Sequence, residues 1–241
     1  MIEEGRAVML AGSGRTFFVE AGPGKLGTDL GEVDLSSIVG KEEGSRICTH
    51  LGHEFVILSP RPTDLFSHAA RSGAPMLPRD IGMVMGLVGM NCRDTVLDAG
   101  TGSGIAAIFF GGVAKRVVTY ERNASFVRIA EKNIKKAALD NTQVVCGDML
   151  DADGTFDVVH LDMSLQKEHI VHAHEILRPG GYLACYTPFL EQTFIAMEEG
   201  ARLFREVETH ECIDRELTRS PRGTRPSTRV CHTGFITVAR K

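Results

Sequence analysis

VLDAGTGSGIAAIFF, residues 96–110, decides how this chain is read. VLDAG is the end of a buried strand, and the glycines at 100, 102 and 104 let the backbone turn tightly and approach a ligand before the next helix starts. In a dinucleotide-binding loop the third glycine follows two intervening residues and the helix N-terminus faces a pyrophosphate. GTGSG is one residue tighter, which suits a cofactor without phosphates.

Outward from this loop, strand and helix patterns alternate. The periodicity predicts a helix over 80–90, strand 94–98, helix 104–112, strand 116–121, helix 124–138, strand 142–146, strand 156–162 and helix 166–177. Strand 181–187, helix 189–204, strand 206–216 and a last strand over 232–240 follow. Such alternation implies an α/β fold with a doubly wound, mostly parallel sheet.

In such sheets ligands bind at the carboxyl ends of the strands, and four consecutive ends here carry site-like residues. Asp98 and the loop Gly100, Thr101, Gly102, Ser103, Gly104 come first. RVVTYE ends in Glu121, where a carboxylate can accept from both hydroxyls of a ribose, with Arg122 next to it. The third strand ends at CGD, placing Asp148 and Met149 where an acid can accept from an adenine amino group. The fourth ends at VVHLD, placing Asp162 at the same edge.

Residues 1–60 hold short alternating segments, RTFFVE (15–20), EVDLSSIV (32–39) and FVIL (55–58), broken by GPG, KEEG and LGH, and read as a small β-module. SPRPTDLF (59–66), with two prolines, reads as a linker entering a short helix. The expected domains are therefore 1–62 and 63–241. No apolar run is long enough to span a bilayer and the N-terminus is charged, so a soluble cytoplasmic protein is expected. The net charge of −4 argues against coating nucleic acid over the whole surface. The local exception is 218–229, joining the last two strands, where Arg219, Arg222, Arg225 and Arg229 stand without an acid as a phosphate-contacting arm. Six cysteines without a CxxC pair read as buried thiols, and His169, His172 and His174 are not spaced as a facing metal pair, so no metal is implied.

The set DAGTGSG, YE, GD, LD resembles the class I, Rossmann-like methyltransferases over roughly 80–240, whose cofactor is S-adenosylmethionine. Further segments are similar to the tRNA adenine-N1 methyltransferases that modify the T-loop adenosine at position 58: DLSSIVGKEEGSRICTHLGHEFVILSPRPTDL in the β-module, LPRD (77–80), YTPFLEQ (186–192), RP (225–226) and HTGFITVARK at the end. The resemblance implies a Rossmann-like domain with an antiparallel last strand, a tRNA substrate and a homotetramer. It also makes Asp162 the catalytic residue, accepting a hydrogen bond from the adenine exocyclic amine. N1 attacks with an in-plane lone pair, so no proton need leave it first, and a carboxylate at the amine orients the ring and stabilises its growing charge. The base must be flipped out to be reached. The chain departs from that family at MSLQ (163–166), where a proline and a Pro-Trp are usual, and at Leu77, where a tyrosine is usual.

Two other readings stay open. A protein isoaspartyl or corrin-precursor methyltransferase shares the glycine loop but leaves the β-module and the HTGF terminus unexplained. A non-catalytic RNA-binding subunit would be expected to have lost the glycines and acids that are all present here.

Overall fold

The computed structural model describes residues 1–228 and 231–241; Arg229, the last arginine of the expected basic arm, lies outside the described residues. The chain divides into two compact units, Met1–Ala70 with Lys132–Ala138, and Arg71–Glu131 with Leu139–Lys241.

In the first unit β1 (Ala7–Gly12), β2 (Arg15–Glu20), β5 (Arg46–Cys48) and β6 (Glu54–Leu58) form an antiparallel sheet in the order β2-β1-β6-β5, and β3 (Lys25–Thr28) and β4 (Gly31–Asp34) form a separate hairpin. Val8, Leu10, Val33, Phe55 and Ile57 fill its core. The expected strand 32–39 stops at Asp34 and continues as a 3-10 turn, Leu35–Ile38. The Asp34 carboxylate accepts from the Ser36 amide at 3.0 Å and its hydroxyl at 2.7 Å, a local alternative to ladder bonding. A short helix, α1 (Pro62–His68), begins with proline at its first position as the linker reading required.

The second unit starts with α2 (Pro78–Leu87), then alternates β7 (Thr95–Ala99), α3 (Ile105–Gly111), β8 (Arg116–Glu121), α4 (Ala124–Ala137), β9 (Thr142–Cys146), β10 (Phe156–Leu161), α5 (Lys167–Ile176), β11 (Leu177–Thr187), α6 (Leu190–Leu203) and β12 (Glu206–Glu211). The hairpin β13 (Leu217–Ser220) and β14 (Gly223–Pro226) precedes the last strand, β15 (Phe235–Arg240). The seven-stranded sheet has the order β12-β15-β11-β10-β7-β8-β9. β15 runs antiparallel to both neighbours, and the other ladders are parallel. Central strands covered on both faces are mostly apolar, with Asp98, Thr119 and His160 as buried polar exceptions, and Leu97, Leu161, Leu183 and Cys185 are buried in one core with Ile170 of α5.

Two expectations are corrected. The strand expected over 206–216 ends at Glu211, because its one ladder partner, β15, begins at Phe235 opposite that residue. Of the six cysteines only Cys185 is buried, while Cys48, Cys92 and Cys146 are exposed, and none is joined in a disulfide among the described residues. Among the described residues no helix is long and apolar enough to cross a membrane.

Leu97 is wholly enclosed on a central strand. Leu97→Ala is expected to cost about 2–5 kcal/mol, seen as a lower urea midpoint with an unchanged slope.

Candidate active site

The strand order sets the site. β10, β7, β8 and β9 lie side by side and parallel, so the segments leaving their carboxyl ends, at Asp162, Gly100, Glu121 and Asp148, line one edge of the sheet. The sheet winds in opposite directions on either side of β7, and a crevice opens at such a switch point. Here it is a cavity of about 350 Å³. Gly100, Thr101, Gly102, Ser103, Glu121, Arg122, Asp148, Met149 and Asp162 all line it. Asp98 and Gly104, expected at the cofactor, are not among the lining residues. Gly104 caps α3, and Asp98 is buried beneath the loop.

The loop is held by its neighbours. Gly100 and Thr101 amides donate to the Tyr120 carbonyl at 3.0 and 3.3 Å, and the Gly102 amide donates to Glu121 Oε2 at 3.0 Å. The other Glu121 oxygen accepts from the Asn123 amide at 2.9 Å. Gly100 has φ +87°, and a Cβ there would strike the Asp162 carbonyl oxygen. Only glycine allows this approach.

Asp148 accepts from the Leu150 amide at 3.0 Å and lies 3.4 Å from the Arg122 guanidinium. Asp162 is partly buried, opening on the cavity. Burial pushes its pKa up to about 6, with His160 pulling it down and Asp98 adding to the rise.

The segment just before α2 was not singled out from sequence, yet Ser72, Ala74, Pro75 and Met76 line the cavity, as do Tyr120 and Phe126. Ser72 donates its amide to Ser103 Oγ at 2.9 Å. Its legible signal is the Ser-Gly-Ala-Pro composition of 72–75, typical of irregular backbone close to a loop.

Of the departing segment 163–166, Met163 lines the cavity, whereas Leu165 is buried in the core and Gln166 caps α5. Within this segment Met163 is the residue that lines the cavity. Three separated motifs meet nearby. The Arg79 guanidinium donates to the Cys231 carbonyl at 2.6 Å and to the Thr233 hydroxyl at 3.3 Å. The Tyr186 ring lies so close over Gly234 that a Cβ there would overlap it. Burial pushes the Tyr186 hydroxyl up to about 12, and burial also raises Asp80, opposed by Thr233 and Arg79.

Arg219, Arg222 and Arg225 are exposed on the β13–β14 hairpin. Arg219 is opposite Thr224 and Arg225 opposite Thr218, so the two arginines project from opposite faces of the ribbon. Among the described residues no group of three His, Cys, Asp or Glu is arranged to hold a metal.

A family model described as a methyltransferase domain matches residues 91–222. The chain is 32% identical to the tRNA (adenine(57)-N(1)/adenine(58)-N(1))-methyltransferase TrmI of Methanocaldococcus jannaschii, over 94% of this chain and 92% of that one. The chain belongs to the TrmI family of tRNA (adenine-N1)-methyltransferases. Two solved structures share the fold: a SAM-dependent O-methyltransferase from Thermotoga maritima, with TM-score 0.84, 26% identity and coverage of 100% of this chain and 94% of that one, and the tRNA (m1A58) methyltransferase TrmI of Aquifex aeolicus, with TM-score 0.78, 24% identity and coverage of 100% and 98%. The fold is thus the Rossmann-like one of the class I methyltransferases, preceded by a small β region.

Membership of the TrmI family implies S-adenosylmethionine as methyl donor, and the lining chemistry fits it. The cavity is rimmed by Glu121, Asp148 and Asp162, with Arg122 its only Lys or Arg. Such a rim favours a cationic ligand and repels a pyrophosphate.

The raised Asp162 pKa has a stability consequence. The fold favours the protonated carboxyl, a contribution fully present below the ordinary carboxylate range and lost as pH rises through about 6. Asp162→Asn is therefore expected to be more stable than wild type at pH 8, by roughly 1–3 kcal/mol, with the gap closing toward pH 4. Urea melts at the two pH values measure it. A gap that does not change with pH contradicts the assigned shift.

Proposed function

We propose that this chain transfers a methyl group to N1 of adenine 58 in the tRNA T-loop and, as the name of the M. jannaschii relative states for that enzyme, to adenine 57. The observation that carries this reading is Asp162, a desolvated carboxylate opening on the cavity beside the glycine loop, in a chain that matches a TrmI along nearly its whole length.

Bound S-adenosylmethionine supplies an electrophilic methyl on its sulfonium. The Gly100–Gly104 backbone would hold it closely, with Thr101 and Ser103 between the glycines, Glu121 would accept from its ribose hydroxyls, and Asp148 and Met149 would take its adenine. Asp98 would act on it only through the loop. Asp162 accepts a hydrogen bond from the exocyclic amine of the target adenine. That bond turns N1 toward the methyl and stabilises the positive charge the ring gains as the N–C bond forms. The same carboxylate can take an amine proton once transfer is complete.

Arg219, Arg222 and Arg225 are proposed to contact tRNA phosphates, from both faces of their hairpin. Self-association as a homotetramer is also proposed. It is supported by Phe189, Leu190, Phe194 and Met197, which are exposed in one segment at the start of α6.

Unmodified tRNA incubated with methyl-labelled cofactor, then digested, should yield N1-methyladenosine; label absent from RNA despite cofactor binding refutes the proposal. Because Asp162 must be ionised to accept, kcat/KM, which reports the ligand-free enzyme, should fall about tenfold per pH unit below 6 and level off above about 7. Asp162→Ala should keep affinity for S-adenosylhomocysteine, whose sulfur is uncharged, and lose at least about a hundredfold in kcat. Charge reversal at Arg222 and Arg225 should weaken tRNA binding and flatten its salt dependence, and unchanged binding at low salt removes the arm from the interface.

A further inference from the structure

Beneath the loop lies a polar group that the proposed reaction does not use. His160 and Asp98 are partners across the parallel β10–β7 ladder, and both are buried, His160 completely. His160 Nδ1 is 2.7 Å from Asp98 Oδ1, so the imidazole N–H donates to the carboxylate oxygen. Asp98 Oδ2 accepts from the Thr119 hydroxyl at 2.5 Å. That bond uses the only Thr119 proton, so the Thr101 hydroxyl, 2.5 Å away, must be the donor to Thr119 Oγ1. The chain of bonds therefore runs unbroken from His160 to the second residue of the glycine loop.

The other half of the arrangement is on β10 and the residue after it. Residues two apart on a strand face the same side, which puts Asp162 on the His160 side of the sheet. The Asp162 amide donates to the Ala99 carbonyl at 2.9 Å, one residue beyond the Asp98–His160 pair. His160 Nε2 has no partner among the described residues, and the ring packs edge-on with Phe110 at 5.1 Å. An apolar residue would fill that space without a buried, unsatisfied nitrogen. Packing alone does not account for a histidine here.

We propose that His160 is a positioning residue: through Asp98 it locks the ends of β7 and β10 together, so that the glycine loop and Asp162 meet their ligands as one rigid unit. The inference rests on reading the cavity as the methyl-donor site.

The test compares His160→Leu, His160→Asn and Thr119→Val in the ligand-free protein. Hydrogen exchange is read over residues 100–104, and affinity for S-adenosylhomocysteine is read by calorimetry. His160→Leu should speed loop exchange and weaken S-adenosylhomocysteine at least about tenfold, the scale of a lost hydrogen bond to a charged group. His160→Asn, whose side-chain amide can donate to Asp98, should recover most of both. Thr119→Val breaks the chain one step further on, outside the cavity lining, and should reproduce the faster loop exchange. Loop exchange and affinity within twofold of wild type in His160→Leu, or Asn no better than Leu, overturns the proposal. Should His160→Leu not fold, unchanged loop exchange in Thr119→Val overturns it alone. If the wild type binds no S-adenosylhomocysteine while the variants still loosen the loop, the methyl-donor reading fails and the positioning role stands.

Discussion

The approach of the Gly100 backbone to the Asp162 carbonyl is the constraint on which the site depends. Two parallel strands, β7 and β10, leave the sheet at the same level, and their continuations must pass within contact of each other. A side chain at residue 100 would push them apart. With glycine there, the Asp162 amide reaches the Ala99 carbonyl, and the loop amides reach Tyr120 and Glu121 on the far side of β7. A single steric permission thus draws three strand ends around one cavity, and the order of the sheet brings the fourth, at Asp148, to the same edge.

The electrostatics of the cavity follow from that convergence. Three carboxylates share a rim with a single guanidinium, which Asp148 already engages. Glu121 and Asp148 each accept backbone amide bonds. Among the described residues Asp162 accepts no such bond through its side chain, and its burial shifts it, to about 6. A cationic ligand beside it would lower that cost, so binding and ionisation of the carboxylate support each other. The group most exposed to desolvation is also the one assigned to the reacting base.

How much of this could be read from sequence depends on the range of the interaction. The strand–loop–helix at 95–111 is written in adjacent residues, and so are the acids at 121, 148 and 162, because each strand in a parallel sheet ends at the ligand edge. The strand cut short at Asp34 turned on a side chain bonding its own backbone, and the early end of β12 turned on where a distant partner begins. Neither is visible in a local pattern. The burial of Asp98 was hidden for a similar reason: its place in the glycine motif suggested contact with the ligand, while its side-chain partners, Thr119 and His160, are 21 and 62 residues away. Ser72 and its neighbours reach the cavity from outside the alternating pattern altogether.

The same distinction explains the departure at 163–166. Read as a loop, MSLQ replaces the aromatic and proline residues usual in its family with nothing that could stack on a base. In the fold, Leu165 belongs to the core beneath α5 and Gln166 to the helix cap, so two of the four positions answer to packing and capping. What faces the cavity is Met163, whose flexible, polarisable side chain can form an apolar wall without dictating one ring orientation. In the proposed reaction the directional group beside Met163 that orients the base is Asp162, which opens on the same cavity. On that proposal, a pocket relying on a hydrogen bond more than on stacking would tolerate the loss of tryptophan, and would discriminate by the presence of an exocyclic amine, since an unpaired buried carboxylate penalises any base without one.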